Sequence, residues 1–353
     1  MPKDSKHVWI WDYASDIYCI QFFIGGRGDG KTYGGLDGAR LNYLDKGDKF
    51  IFSRLTIKEQ KQITAKSASA KGNPFKKINK KEGCNVVILG SGDDVVSSIV
   101  DFEIDDKGKL RPTGREYGYA ISLVDVCDVR GQDYDDVTDW IIDEFIPEKH
   151  KRIPKGLGNA LLNGFETINR EREDEGRPPL RVWLLANAMD IYNPIFKELG
   201  LVSLCEKMNR EGKKDLYIKD RRMAIHLLED SEELQEARSK RAITAIAKGT
   251  DFADMAFNND FAYNDFSNVA YRKVIGYRPI VTLDNMTIYS QKGNGRLYIS
   301  YTPAKCPKLD GSRENELLLF KKKYSQRLYN SFVNDRITFE SYEIKARILE
   351  IIL

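Results

Sequence analysis

Eight consecutive residues carry the strongest chemical signal in the chain: Gly25-Gly26-Arg27-Gly28-Asp29-Gly30-Lys31-Thr32. They satisfy the phosphate-binding pattern G-x-x-x-x-G-K-[ST] in full. Glycine at four of the eight positions lets the backbone turn tightly, so that successive N–H groups surround a polyphosphate. The helix start that follows adds unpaired N–H groups and a partial positive charge. In such a loop Lys31 reaches the β- and γ-phosphates and the Thr32 hydroxyl binds Mg²⁺. A nucleoside triphosphate with Mg²⁺ is therefore the expected ligand. A second pair, Asp143-Glu144, closes the apolar run Trp140-Ile141-Ile142. There Asp143 would hold Mg²⁺, directly or through water, and Glu144 would orient and deprotonate an attacking water. Asp139 stands where a longer strand would continue. Asn187 ends a third apolar run, Leu180 to Ala186, where a polar side chain would sense a hydrolysing γ-phosphate.

The elements that must position these residues follow from the pattern. Tyr18 to Ile24 reads as a buried strand ahead of the loop, and a helix starts at Thr32. Gly34, Gly35 and Gly38 inside that helix are expected to pack closely on the sheet. The aromatic opening, Val8 to Tyr13, could pack on a nucleotide base, but reads first as core packing. A strand at Lys49–Ser53 presents Arg54 at the end that would face the site. Strands over 98–104 and 117–126 flank a hairpin-type turn at Asp105-Asp106-Lys107-Gly108-Lys109. Leu157 to Arg172 reads as a helix whose Leu161, Phe165 and Ile168 lie within roughly 60° of one another. Arg170 falls opposite that stripe with Asn159, Asn163 and Glu166, and so faces solvent or another subunit, whereas Arg172 swings back towards the stripe. Strands alternating with helices imply an α/β fold with a mostly parallel sheet and helices on both faces.

At 353 residues the chain is too long for one ordinary core, so two domains are expected. No run approaches the roughly 18 apolar residues that span a membrane, and the first residues lack a signal peptide's apolar core. Five scattered cysteines and three isolated histidines indicate reduced thiols, a cytosolic setting and no zinc site. Residues 61–81 carry seven lysines and no acid, which reads as a solvated, mobile loop able to touch phosphate backbones. Net charge is +3, but residues 266–353 hold 15 Lys/Arg against 8 Asp/Glu, which suggests contact with nucleic acid or an acidic partner. The organisation expected is a P-loop domain over 1–205, a linker region over 206–265 with a helix at 231–247, and a small α+β domain over 266–353. The last has three strands (269–277, 280–290, 296–301) followed by helices at 314–329 and 340–353.

With these motifs placed, the chain resembles the DNA-packaging (encapsidation) ATPases of small tailed phages of the phi-twenty-nine type. The likeness rests on the loop with its Arg27, Phe50-Ile51-Phe52 with Arg54, Asp143-Glu144-Phe145-Ile146, Leu161-Leu162-Asn163, Thr167 with Arg170, and Ala186-Asn187-Ala188 followed by Asn193-Pro194. The resemblance implies an ASCE-type P-loop fold and a homomeric ring, expected to be pentameric. It also implies translocation of double-stranded DNA through the portal of an empty capsid, with or without a packaging RNA, in the host cytoplasm. By motif alignment Arg170 takes the place of a trans-acting arginine finger, and Arg130 that of a Lys also assigned to act in trans. The C-terminal domain then looks like a degenerate RNase H-like fold, and its first predicted strand, 269–277, contains no Asp or Glu. Two rivals stand beside this reading: a terminase-like motor with its own nuclease, and a P-loop kinase or switch.

Overall fold

The computed structural model describes residues 7–64, 72–90, 95–107, 109–126, 133–146, 154, 156–187, 191–246 and 266–353. The chain divides into two compact units, one of residues 1–199 with 208–263 and the other of 200–207 with 264–353. The first is built on nine strands: β1 (Ile20–Gly25), β2 (Lys49–Ser53), β3 (Val86–Leu89), β4 (Val96–Ile104), β5 (Leu110–Ile121), β6 (Val137–Asp143), β7 (Arg181–Asn187), β8 (Asp215–Ile218) and β9 (Met223–Leu227). Their order is β3-β4-β5-β2-β6-β7-β1-β9-β8. The run from β5 to β9 is parallel throughout, and antiparallel strands extend it at both edges. The mostly parallel α/β sheet expected from the sequence is present.

Helices cover both faces. The helices of this unit are α1 (Lys31–Lys46), α2 (Ile57–Ile63), α3 (Lys76–Glu82), α4 (Leu157–Asn169), α5 (Pro194–Glu198), α7 (Glu232–Ser239) and α8 (Ala242–Ile246), while most of α6 (Val202–Arg210) belongs to the second unit. Successive side chains of a strand point to opposite faces, so Phe23 and Phe22 of β1 serve two different cores. Phe23 joins Leu36 of α1, Phe52, Ile141, Trp183 and Leu185 in one cluster. Phe22 meets Phe145 and Phe196 on the other side. Gly35 does approach the sheet, since a Cβ there would lie 3.4 Å from Leu185 and 3.6 Å from Ile141. Gly38 instead accommodates the Trp11 indole, and Gly34 faces the backbone of Val8 and Ile10. The aromatic opening is thus core packing, with Trp11 stacked on Trp183 at 4.8 Å.

Three expectations need correction. The segment 206–265 is not simply a linker: β8 and β9 complete the large sheet. The run Met223-Ala224-Ile225-His226 is buried, with Leu227 partly so, where β1 supplies its hydrogen-bond partners, and charged neighbours masked it in the sequence. His226 is accommodated there by Asp215 Oδ1 at 2.6 Å and Gln21 Oε1 at 3.1 Å. The helix predicted over 231–247 breaks at Lys240-Arg241 into α7 and α8, and Ala247 lies outside the described residues. Within the lysine-rich run, residues 76–82 form α3, with Ile78 fully buried; residues 65–71 lie outside the described residues.

The second unit holds a five-stranded sheet in the order β13-β10-β11-β12-β14. Its strands are β10 (Tyr277–Leu283), β11 (Met286–Gln291), β12 (Leu297–Ser300), β13 (Lys308–Leu309) and β14 (Ile337–Phe339). Of the strand predicted over 269–277, only the bridge from Val269 to Phe339 and Tyr277, the first residue of β10, are in sheet. The strand predicted over 280–290 is a hairpin, turned at Asp284-Asn285 with Asp284 at φ 55°, a left-handed conformation that Asp and Asn tolerate. Helices α9 (Glu314–Val333) and α10 (Tyr342–Ile352) follow, and Phe320, Leu328, Ile344 and Ile348 pack with Val281, Ile288 and Ile299. Among the described residues no helix is long and apolar enough to cross a membrane.

Asp139, expected to end its strand, lies fully within β6 and is buried. Its carboxylate accepts two bonds of 2.8 Å from Arg181, one of 2.9 Å from the Trp183 indole and one of 2.8 Å from the Thr138 hydroxyl. A buried charge with this many donors is compensated; removing it strands Arg181 in the interior. Asp139→Ala is expected to destabilise the protein by about 3–5 kcal/mol in urea unfolding. Replacing Asp139 and Arg181 together by apolar residues should cost clearly less, and equal losses would refute the pairing.

Candidate active site

Parallel strands deliver their carboxyl ends to a common edge. Gly25 of β1 is level with Asn187 of β7, Leu185 with Asp143 of β6, and Ile142 with Ser53 of β2. The P-loop, Asp143-Glu144, Asn187 and Arg54 therefore gather on one side of the sheet. The loop's turn depends on Gly28 at φ 80° and Gly30 at φ 99°, where a side chain would be strained. Gly30 caps α1, and that helix begins at Lys31.

The central contact joins loop and strand. Thr32 Oγ1 donates to the Asp143 carboxylate, at 3.0 Å from one oxygen and 3.2 Å from the other. Lys31 and Asp143 are both buried. Lys31 Nζ lies 2.7 Å from Asp29 Oδ2 and 3.0 Å from the Gly26 carbonyl. Arg54 binds both acids, with Nη1 2.6 Å from Glu144 and Nη2 3.3 Å from Asp143. Glu144 sits at φ 55°, a strained conformation for a non-glycine residue of the kind found at functional sites. Its side chain is 52% exposed; it is the acid of the pair that water can reach.

Arg170 lies elsewhere. It caps α4 at φ 38° and ψ −126°, is exposed, and donates from Nε to the Thr167 carbonyl at 3.2 Å. The helix predicted to Arg172 ends at Asn169; Arg172, in the turn beyond it, is buried because it donates to the carbonyls of Asp135 and Val137 at 2.9 Å each. That places this turn at the amino end of β6. Asp143 is six residues further along the strand, about 20 Å away at the strand rise. Arg170 and its own P-loop are thus at opposite edges of the sheet. Arg130 lies outside the described residues.

Two groups of contacts were not foreseen. Arg54 was placed facing the site without a role, and its double ion pair follows only from the pairing of β2 with β6. Arg238 is buried, pairs with Asp230 and donates to the Arg27 carbonyl of the loop. Asp230 follows β9 at the same sheet edge, so the unrecognised strand hid this contact.

Burial pushes the Asp143 carboxyl above its ordinary range; Glu144 adds to the rise, while Arg54, Thr32 and Lys31 oppose it. Below the unfolded carboxyl's pKa both states bind the proton. Between that value and the raised folded one only the folded chain does, so stability falls as pH rises through the folded value. Asp143→Asn removes that penalty. It is expected to raise the melting temperature of the nucleotide-free protein at neutral pH and above, with the advantage vanishing on acidification. A lower melting temperature for the Asn variant at neutral pH would show that its ion pair with Arg54 outweighs desolvation.

A family model described as Podovirus DNA encapsidation protein (Gp16) matches residues 12–348. The DNA packaging protein of Bacillus phage B103 is 28% identical over 245 residues, which are 69% of this chain and 64% of that protein. That of Bacillus phage phi29 is 26% identical over 245 residues, 69% of this chain and 62% of the relative. The match therefore spans somewhat less than two thirds of these relatives' length. Among solved structures, a chain of the bacteriophage Phi-29 viral genome packaging motor assembly has a TM-score of 0.61 at 20% identity, with 98% of each chain covered. A chain of the Phi-28 gp11 DNA packaging motor has a TM-score of 0.55 at 18% identity, covering 95% of this chain and 94% of that one. The folds are alike over almost the whole length. With a family model matched from residue 12 to residue 348, the chain belongs to the podovirus DNA encapsidation (Gp16) family.

Proposed function

We propose that this chain is an ATP-driven motor that moves double-stranded viral DNA into a preformed capsid through the portal. The observation that carries the reading is the meeting of Thr32 Oγ1 and the Asp143 carboxylate, 3.0 Å apart, beside Lys31. Both are hard oxygen donors of the kind Mg²⁺ takes, and the Gly25–Thr32 loop can wrap the phosphates. Mg²⁺, when bound with ATP, neutralises charge on the transferring phosphate. Glu144 then takes the proton of the attacking water, and Asn187, level with Gly25, lies where the γ-phosphate would be sensed. Strand β7 between β1 and β6 supports the ASCE type of P-loop fold.

The subunits act as a ring, expected to be pentameric, docked at the portal vertex in the host cytoplasm, with or without a packaging RNA. The position of Arg170 supports this. About 20 Å of strand separates it from its own site, so any phosphate it serves belongs to a neighbour; Arg130 is proposed to act in trans beside it. In the second unit, proposed to be a degenerate RNase H-like fold, none of the strands β10–β14 contains Asp or Glu, which argues against the clustered carboxylates of a two-metal nuclease. This disfavours the terminase-like reading. The exposed Lys321, Lys322 and Lys323 of α9 are proposed to contact the DNA backbone, and reversing their charge should lessen the salt dependence of binding.

Phosphate release from ATP, measured with and without procapsids and DNA, tests the reading. Release without an acceptor, raised by DNA and procapsids, is expected. Transfer to a small acceptor, with no response to DNA, would favour a kinase or switch. Trans action has its own test: Arg170→Ala and Lys31→Ala subunits, each inactive alone, are mixed. Some interfaces then pair an intact loop with an intact finger, and partial ATPase activity should return. Fingers of this kind are worth about 10³–10⁵ in rate, so the recovery would stand well above background. No recovery in rings shown to be mixed would count against Arg170 and leave Arg27 as the likelier source of charge.

A further inference from the structure

The P-loop holds an anion of its own. The Asp29 side chain is 3% exposed, and its Oδ2 is 2.7 Å from Lys31 Nζ. Its Oδ1 accepts the backbone N–H of Lys31 at 3.2 Å. Ammonium and loop N–H are the groups that such a loop presents to phosphate. The carboxylate also lies inside the curve of the loop, since a Cβ on Gly25 would be 2.4 Å from Asp29 Oδ2. The outer side of the loop is held separately by Arg238, which pairs with Asp230 and donates to the Arg27 carbonyl. Arg241 Nη1 is 4.0 Å from where a Gly28 Cβ would lie, and among the described residues its guanidinium has no carboxylate partner.

We propose that Asp29 is a built-in occupant of the phosphate cradle, whose carboxylate competes with the incoming nucleotide for Lys31 and so sets its affinity and release. The inference rests on the loop being a nucleotide site. Carboxylate and phosphate cannot share the same donors, and two anions in one buried cradle repel, so Asp29 leaves as the phosphates enter. The cations beside the loop are Arg238, which donates to the Arg27 carbonyl, and Arg241, near Gly28. On release the carboxylate returns, so the buried ammonium is not left unpaired, a state that would be costly. Asp29 therefore favours exchange over tight retention.

A purely structural role for Asp29 predicts the opposite sign, because a loop that has lost its brace binds nucleotide more weakly. The test titrates the full chain with a fluorescent ADP analogue and follows displacement by stopped flow. Asp29→Asn, which keeps the shape and loses the charge, is expected to bind about ten- to a hundredfold more tightly, mainly through slower dissociation. Asp29→Ala should move in the same direction and show a larger ADP-induced rise in melting temperature than the unmutated chain. Unchanged or weaker binding in both variants overturns the inference, as does failure of both to fold. An unmutated chain that binds neither ADP nor ATP overturns the nucleotide reading instead.

Discussion

Charge buried at the edge of a sheet is tolerated only where opposite charge answers it, and the site is arranged around that constraint. Lys31 is answered by Asp29, Asp143 and Glu144 by Arg54, and Arg238 by Asp230. Each pair holds in place a group that the chemistry needs, or the backbone beside it. The same pairs give Lys31, Arg54 and Arg238 partners of opposite charge within the protein. Asp143 is the exception, because burial raises its pKa despite its neighbours. A carboxyl kept in so dry a place lowers the stability of the fold once it ionises.

The meeting of these groups depends on topology. Strand β7 stands between β1 and β6, which separates the P-loop from Asp143 by one strand while Thr32 still reaches the carboxylate. The spacing is maintained from both faces. Phe23, Trp183 and Leu185 pack with α1 on one side, and Phe22, Phe145 and Phe196 pack together on the other. At the far end of the same strands Asp139 ties β6 to β7 through Arg181 and Trp183. Arg172 ties the end of α4 to the start of β6, which fixes Arg170 at the edge away from its own P-loop. The first unit thus carries the glycine-rich loop on one edge of its sheet and an exposed arginine on the other.

The sequence by itself determined the loop, the acids that close β6, the buried strands beside them and the exposed side of α4. Those are local facts: a glycine spacing, an apolar run, a 3.6-residue period. Edges and breaks were not local. Strand β9 is five residues among charged neighbours and becomes a strand only because β1 pairs with it; with it unrecognised, Asp230 and Arg238 had no visible route to the loop. Asp139 looked like a strand end because the value of a buried carboxylate depends on Arg181, 42 residues away. Arg54 was seen at its strand end, but its grip on both acids required the register of β2 against β6. Asp29 sat in plain view inside the motif, yet its pairing with Lys31 depends on how the loop curves. Residue types and spacings specify which groups can do chemistry; tertiary structure decides which charges are buried together, because partners distant in the chain meet only once the sheet is assembled.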